Sequence, residues 1–516
     1  MRWVASLAVL AAVCWSSPAA AALDDAPLGV IPSSTTLAKV RALYERAHLA
    51  AHTKNATLIE TWHLQQDGES GMFRDWHLGK DVREMTTLGP LVYENGIHNG
   101  THWQQNRNGI TFTFAGYHER DAIDERAWAS HDERDVRLIG ESVPANAYVV
   151  EVDPPRGRLE WLFIDKQNGQ IVRRERMEKR RRYVTAFEDF KAFDGVLEPS
   201  HIRMTDSLGN EREQTIATRL LDSTPDPKDV EIPASRRSFV EFPNGISTVR
   251  LPVRIVNGLF VVRVGVDYHF YDFLLDSGAA GIVIDPSIVE SLGLERLGAR
   301  VGATLGPFAE STTIVQTMTV GPLHLHNVVT RVVAVPFRAD ERTRIAGLLG
   351  FDFFADTIVH VDTERGFVEA IAPAAFRTPA GMTTVPLALD DKEPAARARI
   401  GNVEARVILD TGANRTVLGA AFADRADLAS ERSLSIASRF RSVGGIGMAA
   451  TVRVHTLDFG GSALHDPLVD ISSAELGVED VDGVLGTDLL RNYDIYFDYH
   501  ANAAYVRRLK HGWFGS

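Results

Sequence analysis

Cysteine is nearly absent. Of 516 residues, Cys14 is the only one, and it lies in a stretch expected to be removed. A mature chain without thiols excludes thiol catalysis, cysteine-ligated metal and a disulfide scaffold. Long apolar runs are missing as well. Beyond the N-terminus no uninterrupted run of about 18 apolar residues occurs, so no transmembrane helix is expected. Basic excess is also lacking. Asp and Glu total 68 against 55 Lys and Arg, a net charge of -13, which argues against general affinity for nucleic acid. Among the 17 histidines there is no His-Glu-x-x-His pattern. His324 and His326 alternate on an expected strand and read as a solvated pair. No metal and no other cofactor is expected.

What is present begins with a targeting pattern. Arg2 precedes an apolar run from Val4 to Trp15, and four alanines, Ala19 to Ala22, follow. This is the layout of a secretory signal over residues 1–22, with cleavage expected after Ala22. Val13 before Cys14 is a poor match to a lipid-attachment site. The remaining composition, 45% hydrophobic and 24% charged, is that of a globular protein, and the length implies more than one unit.

Along the mature chain, Thr36, Leu37, Val40, Leu43 and Tyr44 recur at helical spacing. From about Thr57 to Leu220 the texture becomes short alternating runs, such as Thr57 to Trp62, Ile110 to Phe114, Ala147 to Val152 and Leu159 to Ile164. Asn168-Gly169 reads as a hairpin turn. Antiparallel strands around one sheet are the natural reading. The run Arg173 to Arg182 holds seven basic residues and reads as a solvated strand face rather than a binding patch. Two extended linkers are expected, Asp222 to Asp229 and the Pro- and Ala-rich stretch Pro373 to Gly381.

The two halves after the first linker repeat each other. Phe273-Leu-Leu-Asp276-Ser277-Gly278 is matched by Val407-Ile-Leu-Asp410-Thr411-Gly412. Gly347-Leu-Leu-Gly350-Phe-Asp352 is matched by Gly483-Val-Leu-Gly486-Thr-Asp488. The spacing from Asp to the second motif is 71 and 73 positions. Each half then closes with a strand, Ile358 to Asp362 and Ile495 to Asp498. One Asp-Ser/Thr-Gly would be an ordinary turn; two copies at matched spacing are not.

This pattern resembles the pepsin/retropepsin superfamily of aspartic proteases, in particular bacterial retropepsin-like members with two lobes in one chain. The resemblance covers roughly Ile246 to Leu509. It implies a mainly β protein with two tandem barrel-like lobes, 246–372 and 383–512, forming a pseudo-dimer. It implies Asp276 and Asp410 as the catalytic pair. Ser277 and Thr411 would hold the two loops together, Gly278 and Gly412 would permit the tight turns, and Gly350 and Gly486 would allow close packing behind them. Gly444, Gly445 and Gly447 would form a flap in the second lobe. Val301 to Gly306 would be the first-lobe counterpart. The physical case runs alongside. Two carboxylates a few ångströms apart share one proton, so one can activate water while the other polarises a carbonyl.

Residues 23–235 resemble, more faintly, the curved antiparallel sheet of periplasmic lipoprotein-carrier domains, on the turn Asp165 to Arg173 and the stretch Phe187 to Pro199. That implies a possible hydrophobic ligand in this N-terminal β-domain. The sequence therefore points to an exported, periplasmic aspartic endopeptidase acting on a peptide or protein, monomeric because each half supplies one aspartate. The alternatives are a non-catalytic lipid- or peptide-binding protein that keeps the fold, and a structural pair of β-domains.

Overall fold

Runs of alternating Val, Ile, Thr, Tyr and Trp favour strands, and turn residues between them favour hairpins. In a computed structural model of the chain these runs form the expected strands. The structure describes residues 27–54, 57–114, 123–124, 126–129, 134–155, 157–178, 181–221, 223–303, 306–389, 392–428, 436–442, 445–473 and 481–510. The proposed signal segment lies outside them. Among the described residues no helix is long and apolar enough to cross a membrane.

The molecule is mainly β. Fourteen strands between Val30 and Leu221 form one antiparallel sheet, in which Glu211–Leu221 pairs with Thr57–Gln66 and joins the two halves of the sheet. The helix Leu37–Lys54 is longer than its sequence pattern suggests. Its fully buried Val40 packs with Val150, Val152, Leu162 and Ile164 on one face of the sheet. The Asn168-Gly169 turn forms as expected. Asp165 Oδ1 accepts from the backbone of Gln167 and Asn168, and Gly169 takes a φ of 76°.

The basic run does not present a plain solvated face. Arg174 pairs with Glu160, while Arg173 and Arg182 both pair with Glu175. Glu175 is buried, and the guanidinium groups of Arg173 and Arg182 lie over the rings of Phe163 and Trp161. The arginines cover aromatic surface while neutralising buried acids, which is how long cationic side chains close a sheet face.

The two lobes follow one plan. In the first, His269–Leu275 runs parallel to Gly347–Leu349. In the second, Val403–Leu409 runs parallel to Gly483–Leu485. Each lobe is built on a nine-stranded sheet. The closing strands Ile358–Asp362 and Tyr493–Asp498 pair with each other, at the centre of a six-stranded sheet shared by both lobes. His360 on this sheet sits between Glu369 and Asp494, and Arg507 holds the second oxygen of Asp494. His360, Asp362 and Asp494 lie close enough to hold a metal ion, yet the hydrogen bonds to Glu369 and Arg507 already engage His360 and Asp494.

The N-terminal sheet is joined to the lobes by packing as well as by chain. Ile110 and Phe112 belong to the same buried cluster as Phe273, Leu275, Phe351 and Tyr499. The sheet also meets Leu297–Ala303, the edge strand of the first lobe. Ala299 N–H donates to Asp67 O at 2.8 Å, and Gly298 N–H to Glu69 Oε1 at 2.9 Å. The side-chain amide of Asn210 pairs with both backbone groups of Val301, at 2.7 and 2.9 Å. An edge strand's unpaired backbone groups are thereby satisfied from outside its own lobe.

One core shared in this way predicts one unfolding event. Phe112→Ala should cost about 3–5 kcal/mol, the usual range for truncating a buried Phe. In denaturant titration followed by Trp fluorescence and far-UV dichroism, the whole transition should move. A separate lobe transition left in place by the substitution would show that the sheet and the lobes fold independently.

Candidate active site

Each aspartate loop follows directly on a strand, His269–Leu275 in the first lobe and Val403–Leu409 in the second. Leu275 and Leu409 are fully buried, and the chain must turn sharply once it passes them. The turn is fixed twice. Asp276 N–H donates to Leu349 O at 3.1 Å and Asp410 N–H to Leu485 O at 3.0 Å. Asp276 Oδ1 accepts from Gly278 N–H at 3.0 Å, and Asp410 Oδ1 from Gly412 N–H at 2.7 Å and Ala413 N–H at 3.1 Å.

Between the loops runs a reciprocal set of four hydrogen bonds. Thr411 Oγ1 accepts from Ser277 N–H at 3.0 Å and donates to Leu275 O at 2.8 Å. Ser277 Oγ accepts from Thr411 N–H at 3.0 Å and donates to Leu409 O at 2.7 Å. Both hydroxyls are buried and use donor and acceptor at once. Ala or Val at either position would strand two backbone groups.

The glycines act by leaving space. A Cβ at Gly278 would lie 2.7 Å from Cγ of Asp410, and one at Gly412 would collide with the carboxyl of Asp276. Each carboxyl therefore lies against the glycine of the opposite loop. Gly350 and Gly486 back the loops: a Cβ there would fall on the carbonyl oxygens of Gly281 and Ala279, or on that of Arg415.

The two carboxyls are within hydrogen-bonding reach of one another. Burial pushes Asp276 well above the usual aspartate range, and the charge of Asp410 adds to it. Burial also raises Asp410, while the N–H donors of Gly412 and Ala413 and a hydrogen bond from Asp276 favour its charged form. The arrangement suits one proton shared by the pair.

Three further side chains support the loops. Tyr499 is fully buried and donates from its hydroxyl to Ser277 O at 3.0 Å. Burial, with the two aspartates nearby, holds that phenol well above its ordinary value, so it stays a donor. Asp352 accepts from Ile282 N–H at 3.0 Å, and burial raises it despite the charge of Lys392. Asp488 accepts from Thr416 Oγ1 at 2.7 Å. The repeated Asp two places after Gly350 and Gly486 was a signal for these two. Tyr499, far along the chain, had none.

The expected second-lobe flap is a hairpin. Ile436–Ser442 pairs with Gly445–Arg453 in the register Ser442 to Gly445, and Gly447 faces Phe440. Gly445 takes a φ of 143°, and Ile446 and Met448 are exposed. Gly444 lies outside the described residues. The first-lobe counterpart is the hairpin of Leu297–Ala303 with Pro307–Val320, whose outer strand is the one held by Asn210 and Asp67. His324 and His326 are exposed on one strand, with rings 6.2 Å apart.

No curated protein is similar enough in sequence to match. Among solved structures, an aspartic proteinase from Irpex lacteus is 14% identical, covers 51% of this chain and 98% of its own, and has a TM-score of 0.33. A protein domain from Vibrio parahaemolyticus, described as an outer membrane lipoprotein-sorting domain, is 13% identical, covers 36% of this chain and 97% of its own, and has a TM-score of 0.26. A DUF1329 family protein from Desulfovibrio piger is 15% identical, covers 37% and 97%, and has a TM-score of 0.28. All three are distant, and whole-chain superposition is poor at these scores. The family model for aspartyl proteases matches residues 256–353 and 396–489, so each lobe carries one copy of that family's pattern with its Asp-Ser/Thr-Gly loop inside it.

Proposed function

We propose that the protein is an aspartic endopeptidase that hydrolyses peptide bonds with water activated between Asp276 and Asp410. The observation that carries this reading is the pair of half-buried carboxyls set against each other by the reciprocal Ser277 and Thr411 bonds. A fold kept only for binding or scaffolding has no need to bring two acids together at the cost of their mutual repulsion and partial desolvation.

The chemistry follows from the proton count. Asp410, ionised, takes a proton from a water between the carboxyls. Asp276, protonated, donates to the substrate carbonyl oxygen as the water attacks. The tetrahedral diol collapses when a proton reaches the leaving amine. No covalent enzyme intermediate is formed. The hairpin ending at Ser442 and Gly445 is the proposed lid over the substrate. Export to the periplasm belongs to the same proposal and rests on the N-terminal sequence pattern. The rival reading, a hydrophobic ligand held by the N-terminal sheet with no cleavage, would show as co-purified lipid.

The test is peptide-library cleavage by the full chain beside Asp276→Asn and Asp410→Asn. Each variant should lose roughly 10²–10⁴-fold in kcat, the usual share of general acid–base catalysis. Cleavage that survives either change would sink the mechanism.

The pH profile should be bell-shaped. Activity falls on the acid side as Asp410 gains a proton and on the alkaline side as Asp276 loses its own. Because burial raises both groups, the bell should centre above the ordinary aspartate range. Stability carries the opposite sign to a salt-bridged acid. A raised carboxyl contributes stability below its unfolded pKa, and loses it as pH rises through its folded value. Asp276→Asn should therefore melt higher than wild type at neutral pH and show little gain in strong acid. An equal or lower melting temperature at neutral pH would contradict the raised state of Asp276.

A further inference from the structure

The lobes repeat each other, so a difference in how the same support is completed carries information. In the second lobe Asp488 receives hydrogen bonds from the backbone N–H and the hydroxyl of Thr416. That hydroxyl also accepts from Gly486 N–H at 3.1 Å. Thr416 lies six residues after Asp410. Six residues after Asp276 stands Ile282, which has no hydroxyl. Its N–H reaches Asp352 Oδ2 at 3.0 Å, so the backbone half of the support is kept and the side-chain half is not.

The missing donor comes from the N-terminal sheet. Asn106 Nδ2 donates to Asp352 Oδ1 at 2.7 Å. Asn106 sits in the turn between Thr101–Gln105 and Thr111–Phe114. Its own Oδ1 accepts from Asn108 N–H and Ile110 N–H, both at 3.0 Å, which fixes the amide with its NH2 toward Asp352. Asn108 anchors the same turn by pairing with both backbone groups of Val329, at 2.8 and 3.0 Å, and its side chain also supports the charge of Asp352, with Asn106 making the 2.7 Å bond. Asn106, Asn108 and Asp352 are all buried. A second route runs in parallel. Phe112 packs edge-on to Phe351 with centroids 4.7 Å apart, and Phe351 lies 5.6 Å from Tyr499, the residue bonded to Ser277 O.

We propose that Asn106 is a positioning residue for the first-lobe aspartate loop, supplying through Asp352 the hydrogen bond that Thr416 supplies in the second lobe. The N-terminal sheet is then part of the active-site support and is not a removable cover. This rests on the reading of Asp276 and Asp410 as the catalytic pair. A buried carboxylate that loses a donor must shift or take a proton, and either loosens the hold of Asp352 on Ile282 and hence on the loop that begins at Asp276. Such small displacements are expensive in turnover.

The test uses the full chain with Asn106→Ala, Asn106→Asp and the double variant Asn106→Ala/Ile282→Thr. Asn106→Asp keeps the acceptor the turn needs and removes only the donor. One readout is kcat and KM on a peptide the wild type cleaves. The other is amide hydrogen exchange at Ile282 in an Asp410→Asn background, which needs no activity. Asn106→Ala should lower kcat roughly 10–100-fold with KM little changed, and speed exchange at Ile282. Ile282→Thr should restore both. Asn106→Asp should recover relative to wild type as pH falls, because the introduced carboxyl, once protonated, can donate again to Asp352, which also faces Lys392 and Arg331. A folded Asn106→Ala chain with wild-type kcat overturns the proposal, as does unchanged exchange at Ile282 or a kcat that Ile282→Thr does not restore. If the double variant does not fold, the acid recovery of Asn106→Asp decides: present it supports the donor role, absent it overturns it. A wild type that cleaves no peptide counts against the protease reading, and exchange alone then decides the role of Asn106.

Discussion

Two carboxyls cannot be held face to face inside a protein unless something else fixes the chain that carries them. Here that constraint is the exchange of hydroxyl and backbone hydrogen bonds between Ser277 and Thr411. It links the last carbonyls of two strands from different lobes, Leu275 and Leu409, and so sets the distance between the aspartates that follow. The parallel pairings behind each loop and the six-stranded sheet beneath serve the same end. They keep the lobes from drifting apart under the repulsion that ionising both acids would bring.

The N-terminal sheet meets this frame at two places of different character. At the edge strand Leu297–Ala303 it acts through backbone geometry, with Asp67 and Asn210 occupying groups that would otherwise face water or another strand. That edge belongs to the hairpin of Leu297–Ala303 with Pro307–Val320, which is thereby tied down from outside its lobe. At the turn 106–110 the sheet acts through burial and polar contact at once. Ile110 and Phe112 enter the common core, while Asn106 and Asn108 satisfy groups that the core would otherwise leave unpaired. Hydrophobic burial supplies most of the attachment, and the amides set its register.

The sequence was legible where the chemistry is local. Asp276-Ser277-Gly278 and Asp410-Thr411-Gly412 announce themselves because a tight turn, a hydroxyl and an acid must stand side by side, and because the copies share a spacing. Alternation and turn residues located the strands of the N-terminal sheet. The helix from Leu37 runs on to Lys54, past its apolar pattern, through residues of good helix propensity such as Ala47, Leu49, Ala50 and Ala51. The basic run looked solvated because one strand does not reveal what lies across it. Glu160 meets Arg174, and Glu175 meets Arg182, only once neighbouring strands pair. Asn106 and Tyr499 were invisible for the same reason at longer range, since nothing within a few residues of either hints at the loop it supports.

A single chain also lets the lobes differ, which two identical subunits cannot do. The residue beside the dyad-side strand is Arg331 in the first lobe, paired with Glu310, and Asp470 in the second, paired with Arg415. The same position thus carries opposite charge on the two sides of the pseudo-twofold axis. The aspartates themselves differ less. Backbone N–H donors face both, those of Gly278 and Ala279 at Asp276 and those of Gly412 and Ala413 at Asp410, and burial raises both. In a symmetric dimer a shared proton has no preferred home, so a preference in this chain would have to come from the surroundings in which the lobes differ.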